Sequence, residues 1–166
     1  GRGYGFFKIT EGESSGLWSV LRSSEDEVMK GSLLITLYEN LRWKTISPQG
    51  FRDEMLAYLP NESNSLLFSM ALSYLGDCQR IFPSDSRPLE QALWKIVTTN
   101  PVSQHRLQAF RLYRSIADSE EAVQRLYTLW QERKAPKDCA LSESDYIGLS
   151  YMLAIHLPEK ADEIIA

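Results

Sequence analysis

From Ser24 to the end of the chain, apolar residues return every three or four positions in segment after segment, and a short polar or proline-bearing break separates each from the next. A period of about 3.6 residues belongs to an α-helix with one buried face, and its repetition leaves little backbone for a sheet. The clearest segment follows Asp118-Ser119. Ala122, Val123, Leu126, Tyr127 and Trp130 fall on one side, and Glu121, Gln124, Arg125 and Gln131 on the other. The expectation is an all-α fold.

The breaks read as helix starts and stops. Ser24-Glu25-Asp26-Glu27 fits a capping box opening a helix over 25–41. Ser47-Pro48 is an N-cap followed by proline at the first helical position, and Pro60 ends that helix. Asn64 caps a broad apolar run through Cys78. Ser86-Arg87-Pro88 and Asn100-Pro101 repeat the proline start. Ser142 caps a helix from 143 to 157, and Pro158 starts a last one. Before these, residues 14–21 have room for a short helical turn. Short connections place consecutive helices antiparallel, and the pairs 25–59, 64–98 and 101–132 recur at a spacing of about 35 to 40 residues. The spacing predicts irregular HEAT-like helix pairs stacked into an α-α superhelix over residues 14–166, preceded by an extended segment over 1–13; a compact orthogonal bundle is the competing architecture.

Composition narrows the function classes. The chain has 166 residues, 43% of them hydrophobic and 24% charged, enough for a core without disulfide or metal support. A net charge of −4 and an isoelectric point near 5.3 argue against a nucleic-acid or anionic-membrane surface. No apolar run reaches the length of a membrane span, and the first residues lack the order of a secretory signal. A soluble fragment is expected, from a parent in either the cytoplasm or the periplasm, with a processed or truncated end at Gly1.

Signatures of chemistry are scarce. Cys78 and Cys139 form no Cys-x-x-Cys pair and read as small core residues. A helical zinc site needs two imidazoles one turn apart beside a carboxylate. His105 and His156, the two histidines, are far apart; His105 reads as a solvated helix residue, and His156 as a partner for carbonyls at a helix end. Glu25-Asp26-Glu27 and Glu120-Glu121 fall in first helical turns, where negative charge complements the helix dipole. Trp43, Trp94, Trp130 and Tyr151 lie at or near apolar stripes and read as core or interface packing. Gly1-Arg2-Gly3-Tyr4-Gly5 is not a full Gly-x-Gly-x-x-Gly fingerprint and opens no helix. No catalytic or metal-ligating residue is assigned, and the chain alone is not expected to be an enzyme or to hold a cofactor.

The opening Gly1-Arg2-Gly3-Tyr4-Gly5-Phe6-Phe7-Lys8-Ile9 differs from everything after it. Tyr4, Phe6, Phe7 and Ile9 are strand-type residues, and a single strand cannot satisfy its own backbone. It is expected to be extended, and to pair outside the helical region or lie along its edge. This stretch, a short helix, and then the motifs Leu37-Tyr38-Glu39-Asn40, Ile46-Ser47-Pro48 and Leu59-Pro60-Asn61-Glu62-Ser63-Asn64 resemble the C-terminal part of bacterial zinc metallopeptidases of the aminopeptidase N family. In that family a β-sandwich module ends in a Gly-Tyr-Gly-like strand and passes into an all-helical, HEAT-like terminal domain.

The family's His-Glu-x-x-His and Gly-x-Met-Glu-Asn signatures do not occur here, so no zinc-binding or catalytic residue carries over. The resemblance implies a non-catalytic domain that closes over the parent's zinc-bearing catalytic domain and limits access to its chamber. Its partners would be the catalytic and β-sandwich domains and the peptide substrate. Arg42 and Trp43, past the end of a helix, and Arg106 and Arg111, placed to offer positive charge to a carboxylate, are the candidate exposed contact residues. A free-standing α-solenoid scaffold that grips a partner protein is the alternative, and an all-helical enzyme with scattered active-site groups is a third reading.

Overall fold

The computed structural model describes residues 7–165. Among these the chain is all-α: nine α-helices and two short 3-10 turns, with no strand. It divides into two compact units, Gly1–Phe82 and Pro83–Ala166.

The first unit holds α1 (Glu11–Ser23), α2 (Glu27–Arg42), α3 (Pro48–Tyr58) and α4 (Ser65–Ile81), with a 3-10 turn at Leu59–Asn61. Helix α2 packs against α1, α3 and α4. Trp18, Leu21, Leu34, Leu37, Leu41, Phe51, Met55, Phe68 and Leu75 are buried in this unit, with Trp18 edge-on to Phe51 at 5.6 Å. Side chains meet backbone N–H groups at two of the helix starts in this unit. Glu11 in the first turn of α1 accepts a hydrogen bond from Ser47 N–H at 2.7 Å, so its carboxylate sits at the N-terminus of α3 where negative charge is favoured. Glu62, almost fully buried, accepts hydrogen bonds from Tyr58 Oη, Lys30 Nζ and Asn64 N–H. Burial pushes its carboxyl up, but these donors more than offset that and hold it below its ordinary value.

The second unit holds α5 (Arg87–Thr99), α6 (Ser103–Ile116), α7 (Glu120–Glu132), α8 (Glu143–His156), a 3-10 turn at Pro158–Lys160 and α9 (Ala161–Ile165). Helix α5 lies along α6, and α8 packs on α6, α7 and α9. Leu93, Val97, Ala109, Phe110, Tyr113, Leu126, Leu149 and Leu153 are buried. Glu90, also buried, ties α5 to the start of α7: it accepts from Asp118 N–H, Ser119 N–H and the Ser119 hydroxyl.

Several expectations need correction. Residues 1–6 of the expected strand lie outside the described residues; 7–10 are non-helical, and helix α1 already begins at Glu11, inside the segment expected to be extended. The reason is a capping box: Thr10 Oγ1 accepts from Glu13 N–H while the Glu13 carboxylate accepts from Thr10 N–H. Helix α2 starts two residues late because Asp26, not Ser24, is the cap, accepting from Val28 and Met29 N–H; of the acidic run, only Glu27 is helical. Pro101 does not open α6. Asn100 Oδ1 instead accepts from Val102 N–H, and the helix starts at Ser103. The expected pair over 64–98 is divided at Phe82/Pro83: α4 packs on α2 and α3, whereas α5 packs on α6.

Candidate functional site

An open cleft of about 600 Å³ lies in the second unit between the first turns of α6 and the loop that follows α7. Ser103, Gln104 and Leu107 line one wall, and Pro136, Asp138, Cys139 and Ala140 the other. Arg133 ends α7 in the left-handed conformation (φ 50°), Asp138 turns the loop through another (φ 56°), and Cys139 N–H closes a turn on Pro136 C=O at 3.0 Å.

Three arginines of α6 fix this loop and the start of α8. Arg106 Nε donates to Asn100 C=O, and its Nη1 donates to Lys137 C=O at 3.0 Å and to Asp138 at 3.2 Å. Arg111 meets both carboxylate oxygens of Asp145, at 2.8 and 3.1 Å. Arg114 Nη1 donates to Asp145 C=O at 2.9 Å. The Asp145 carboxylate also accepts from Ser142 N–H and the Ser142 hydroxyl, completing a capping box. The Arg111 guanidinium above all, and then the Ser142 donors, hold the Asp145 carboxyl well below the usual carboxylate range against the opposing effect of its burial. Next to the Arg114 guanidinium, Gly148 leaves space that a side chain would fill: a Cβ there would lie 2.6 Å from Nη1.

Burial raises the Cys139 thiol, and the Asp145 charge raises it further, the reverse of what a nucleophilic cysteine needs. Asp138 and Asp145 are committed to arginines, and among the described residues no group of three or more His, Cys, Asp or Glu side chains is arranged to hold a metal ion. What remains is an apolar wall of Leu107, Pro136, Cys139 and Ala140, flanked by polar groups of Ser103, Gln104 and Asp138.

Arg106 and Arg111 thus come to one neighbourhood, but not as free cations. Only 13% of the Arg106 side chain is exposed, which corrects its reading as an exposed group; Arg111 is half exposed and paired. Arg42 and Trp43 lie in the other unit. Arg42 sits by Glu39 and over the Tyr38 ring, and Trp43, at the C-terminus of α2, is 67% exposed. His105 is fully buried, not solvated, because it precedes Ala109 and Tyr113 on the core face of α6. His156 is partly exposed in the last turn of α8. Tyr151 is not core either. Together with Ile147 and Ile155 it forms an exposed stripe at i, i+4 and i+8 on α8, which carries no charged residue between Asp145 and His156.

Sequence reasoning missed Asp145, Arg114 and Gly148, although Ser142-x-x-Asp145 has capping-box spacing. It also missed the role of Asn40. This residue is fully buried near the end of α2, where its carboxamide accepts from Ile9 N–H at 2.9 Å and from Thr45 Oγ1 at 2.6 Å, and donates to Phe7 C=O at 2.8 Å and Thr36 C=O at 2.9 Å. Its position on the same helical face as Leu37 and Leu41 was the available signal. In comparisons with known proteins, no family model matches the chain, and no curated protein or solved structure matches it at a significant level.

Proposed function

We propose that the chain is the non-catalytic C-terminal helical part of an aminopeptidase N-like zinc metallopeptidase, closing the chamber in which the parent removes N-terminal residues from peptides. The observation that carries this reading is the way the chain passes into the helices. In the proposed parent a strand must run directly into an all-α domain at a defined place, and Asn40 supplies such a place by holding Phe7 and Ile9 against α2. Asn40 is also the last residue of Leu37-Tyr38-Glu39-Asn40, one of the motifs that carry the resemblance. The all-α fold agrees with this role, and stacking of its helix pairs in HEAT-like fashion would supply the concave wall.

On this reading zinc and the reacting groups belong to the parent's catalytic domain. Arg42, Trp43 and Arg111 retain exposed surface for a peptide or a neighbouring domain, and Arg106 acts indirectly by fixing the loop of the cleft. The test is the purified chain with added zinc and an amino-acid anilide. No cleavage is expected; zinc-dependent cleavage by these residues alone refutes the assignment.

A second reading is a free-standing helical scaffold that grips a protein partner. The stripe Ile147, Tyr151 and Ile155 favours it, because an exposed apolar line on a helix is a common contact for another protein. A natural open reading frame that begins close to Gly1 would support the scaffold, and a long upstream region containing His-Glu-x-x-His would dispose of it.

A further inference from the structure

On the outer face of α8, Ile147, Tyr151 and Ile155 are 50, 62 and 77% exposed and follow one another at four-residue steps, about 6 Å apart along the axis. Leu149 and Leu153 hold the opposite face in the core. On the flanks, Ser150 meets Trp130 of α7, and Gly148 lies against Arg114 of α6. At about 100° per residue, Ile147 and Ile155 stand roughly 40° to either side of Tyr151, and Gly148 and Ala154 roughly 60° to either side. The face is therefore symmetric about Tyr151. Residues 147–155 read Ile-Gly-Leu-Ser-Tyr-Met-Leu-Ala-Ile, with a leucine, a small residue and an isoleucine at matching distances before and after the tyrosine. A second α8 laid antiparallel across this one, with the two-fold axis beside Tyr151, meets its own complement. Ile155 of one copy falls over Gly148 of the other, where there is no side chain, and Ile147 falls over Ala154, where there is only a methyl group.

We propose that α8 is a self-association surface, pairing antiparallel with α8 of a second copy of this chain so that Tyr151 faces Tyr151 at the two-fold axis. Charge agrees with this occupant. No charged side chain lies between Asp145 and His156, so overlap over 146–155 takes no ion out of water. The antiparallel arrangement also sets the positive end of each helix dipole beside the negative end of the other. An unrelated partner would need only an apolar groove, whereas large residues matched to small ones about a single position are what a two-fold contact demands of one sequence. The area sets the strength. The exposed parts of Ile147, Tyr151 and Ile155 amount to roughly 350 Å² per copy, under half of the ~800 Å² per partner of a stable complex, so the pair is weak and reversible. Such pairing is open to the chain under either functional reading above.

Sedimentation equilibrium of the purified chain, from micromolar to millimolar concentration, is expected to show a monomer and a dimer with a dissociation constant on the order of 0.1 mM. Tyr151→Asp should raise that constant more than tenfold and Tyr151→Phe should keep it, with circular dichroism and the thermal midpoint showing that both variants are folded. Cross-linking with a short bismaleimide reads the direction of the pair, since Cys78 and Cys139 are both buried. Tyr151→Cys should link to itself. Ile147→Cys and Ile155→Cys should each link poorly alone and readily when mixed. A single species at every concentration overturns the proposal, and so does a dimer that ignores Tyr151→Asp. Efficient linking of Ile147→Cys to itself overturns the antiparallel arrangement. The natural full-length protein is put through the same sedimentation series: a monomer throughout overturns the proposal as well, because it assigns the stripe to another part of that protein. Peptidase activity is unaffected by any of these outcomes, so the function proposed above stands or falls separately.

Discussion

Arg111 and Asp145 stand 34 residues apart in sequence and meet in a two-point ion pair, with guanidinium nitrogens 2.8 and 3.1 Å from the two carboxylate oxygens. The same carboxylate caps α8 through Ser142, so one buried group joins α6 to the start of α8 and shapes the loop that walls the cleft. The Asp145 carboxyl is depressed in the folded chain and ordinary in the unfolded one, at about 3.9. Its contribution to stability is therefore complete above about pH 4 and lost as pH falls through the lower, folded value. Asp145→Asn should lower stability near pH 7 by about 2 kcal/mol and flatten the acid limb of the stability curve, measured by urea unfolding at several pH values. An unchanged acid limb would remove Asp145 from this role.

Gly148→Ala tests the fit of α8 against Arg114. A methyl group there would press on the guanidinium, which is the movable end of a long side chain, so the helix is expected to hold and Arg114 to swing away from Asp145 C=O. The lost hydrogen bond and the gain in helix propensity partly cancel, giving a net destabilisation of about 1 kcal/mol. In the double variant Gly148→Ala/Arg114→Ala the two effects should not add, because the clash has no partner left. Additive losses in thermal unfolding would contradict this geometry.

Glu90→Ala should leave the N–H groups of Asp118 and Ser119 without their acceptor at the turn between α6 and α7. A loss of about 3 kcal/mol is expected for a buried carboxylate that serves several donors at once. Glu90→Gln keeps one oxygen acceptor and should lose about half as much. Equal losses for the two variants, measured by chemical denaturation, would mean that packing and not hydrogen bonding sets the effect.

Asn40→Ala should cost about 2 kcal/mol, with faster exchange at the Ile9 amide while α4 stays protected. Asn40→Asp keeps the acceptor for Ile9 and Thr45 but turns a second oxygen toward the carbonyls of Phe7 and Thr36. It should therefore loosen Phe7–Ile9 as the carboxylate ionises, and hold it better in acid. Exchange at Ile9 that ignores both substitutions would show that Asn40 does not hold the segment.

The helices were legible where an apolar period coincided with an unambiguous cap, as at Ser47-Pro48, Asn64 and Ser119. They were misplaced where two caps competed. Ser24 and Asp26 both precede the stripe of α2, and only the three-dimensional turn decides that Asp26 takes the orphan N–H groups. Asn100-Pro101 carries a helix-start signal, yet the Asn100 side chain closes a local turn two residues early. Division of the chain at Phe82/Pro83 depends on which helix faces meet, and no local signal carries that. The cleft was invisible for the same reason. Arg106 and Arg111 stood out as cations on a helix, but their partners Asp138 and Asp145 lie more than thirty residues away in sequence.

The central claim is most directly tested by the natural protein that contains these residues, purified at full length and assayed for release of single residues from amino-acid anilides with and without a zinc chelator. The account predicts cleavage that chelation abolishes and zinc restores, together with a His-Glu-x-x-His sequence upstream of Gly1. A full-length protein that lacks that sequence and cleaves nothing would contradict it.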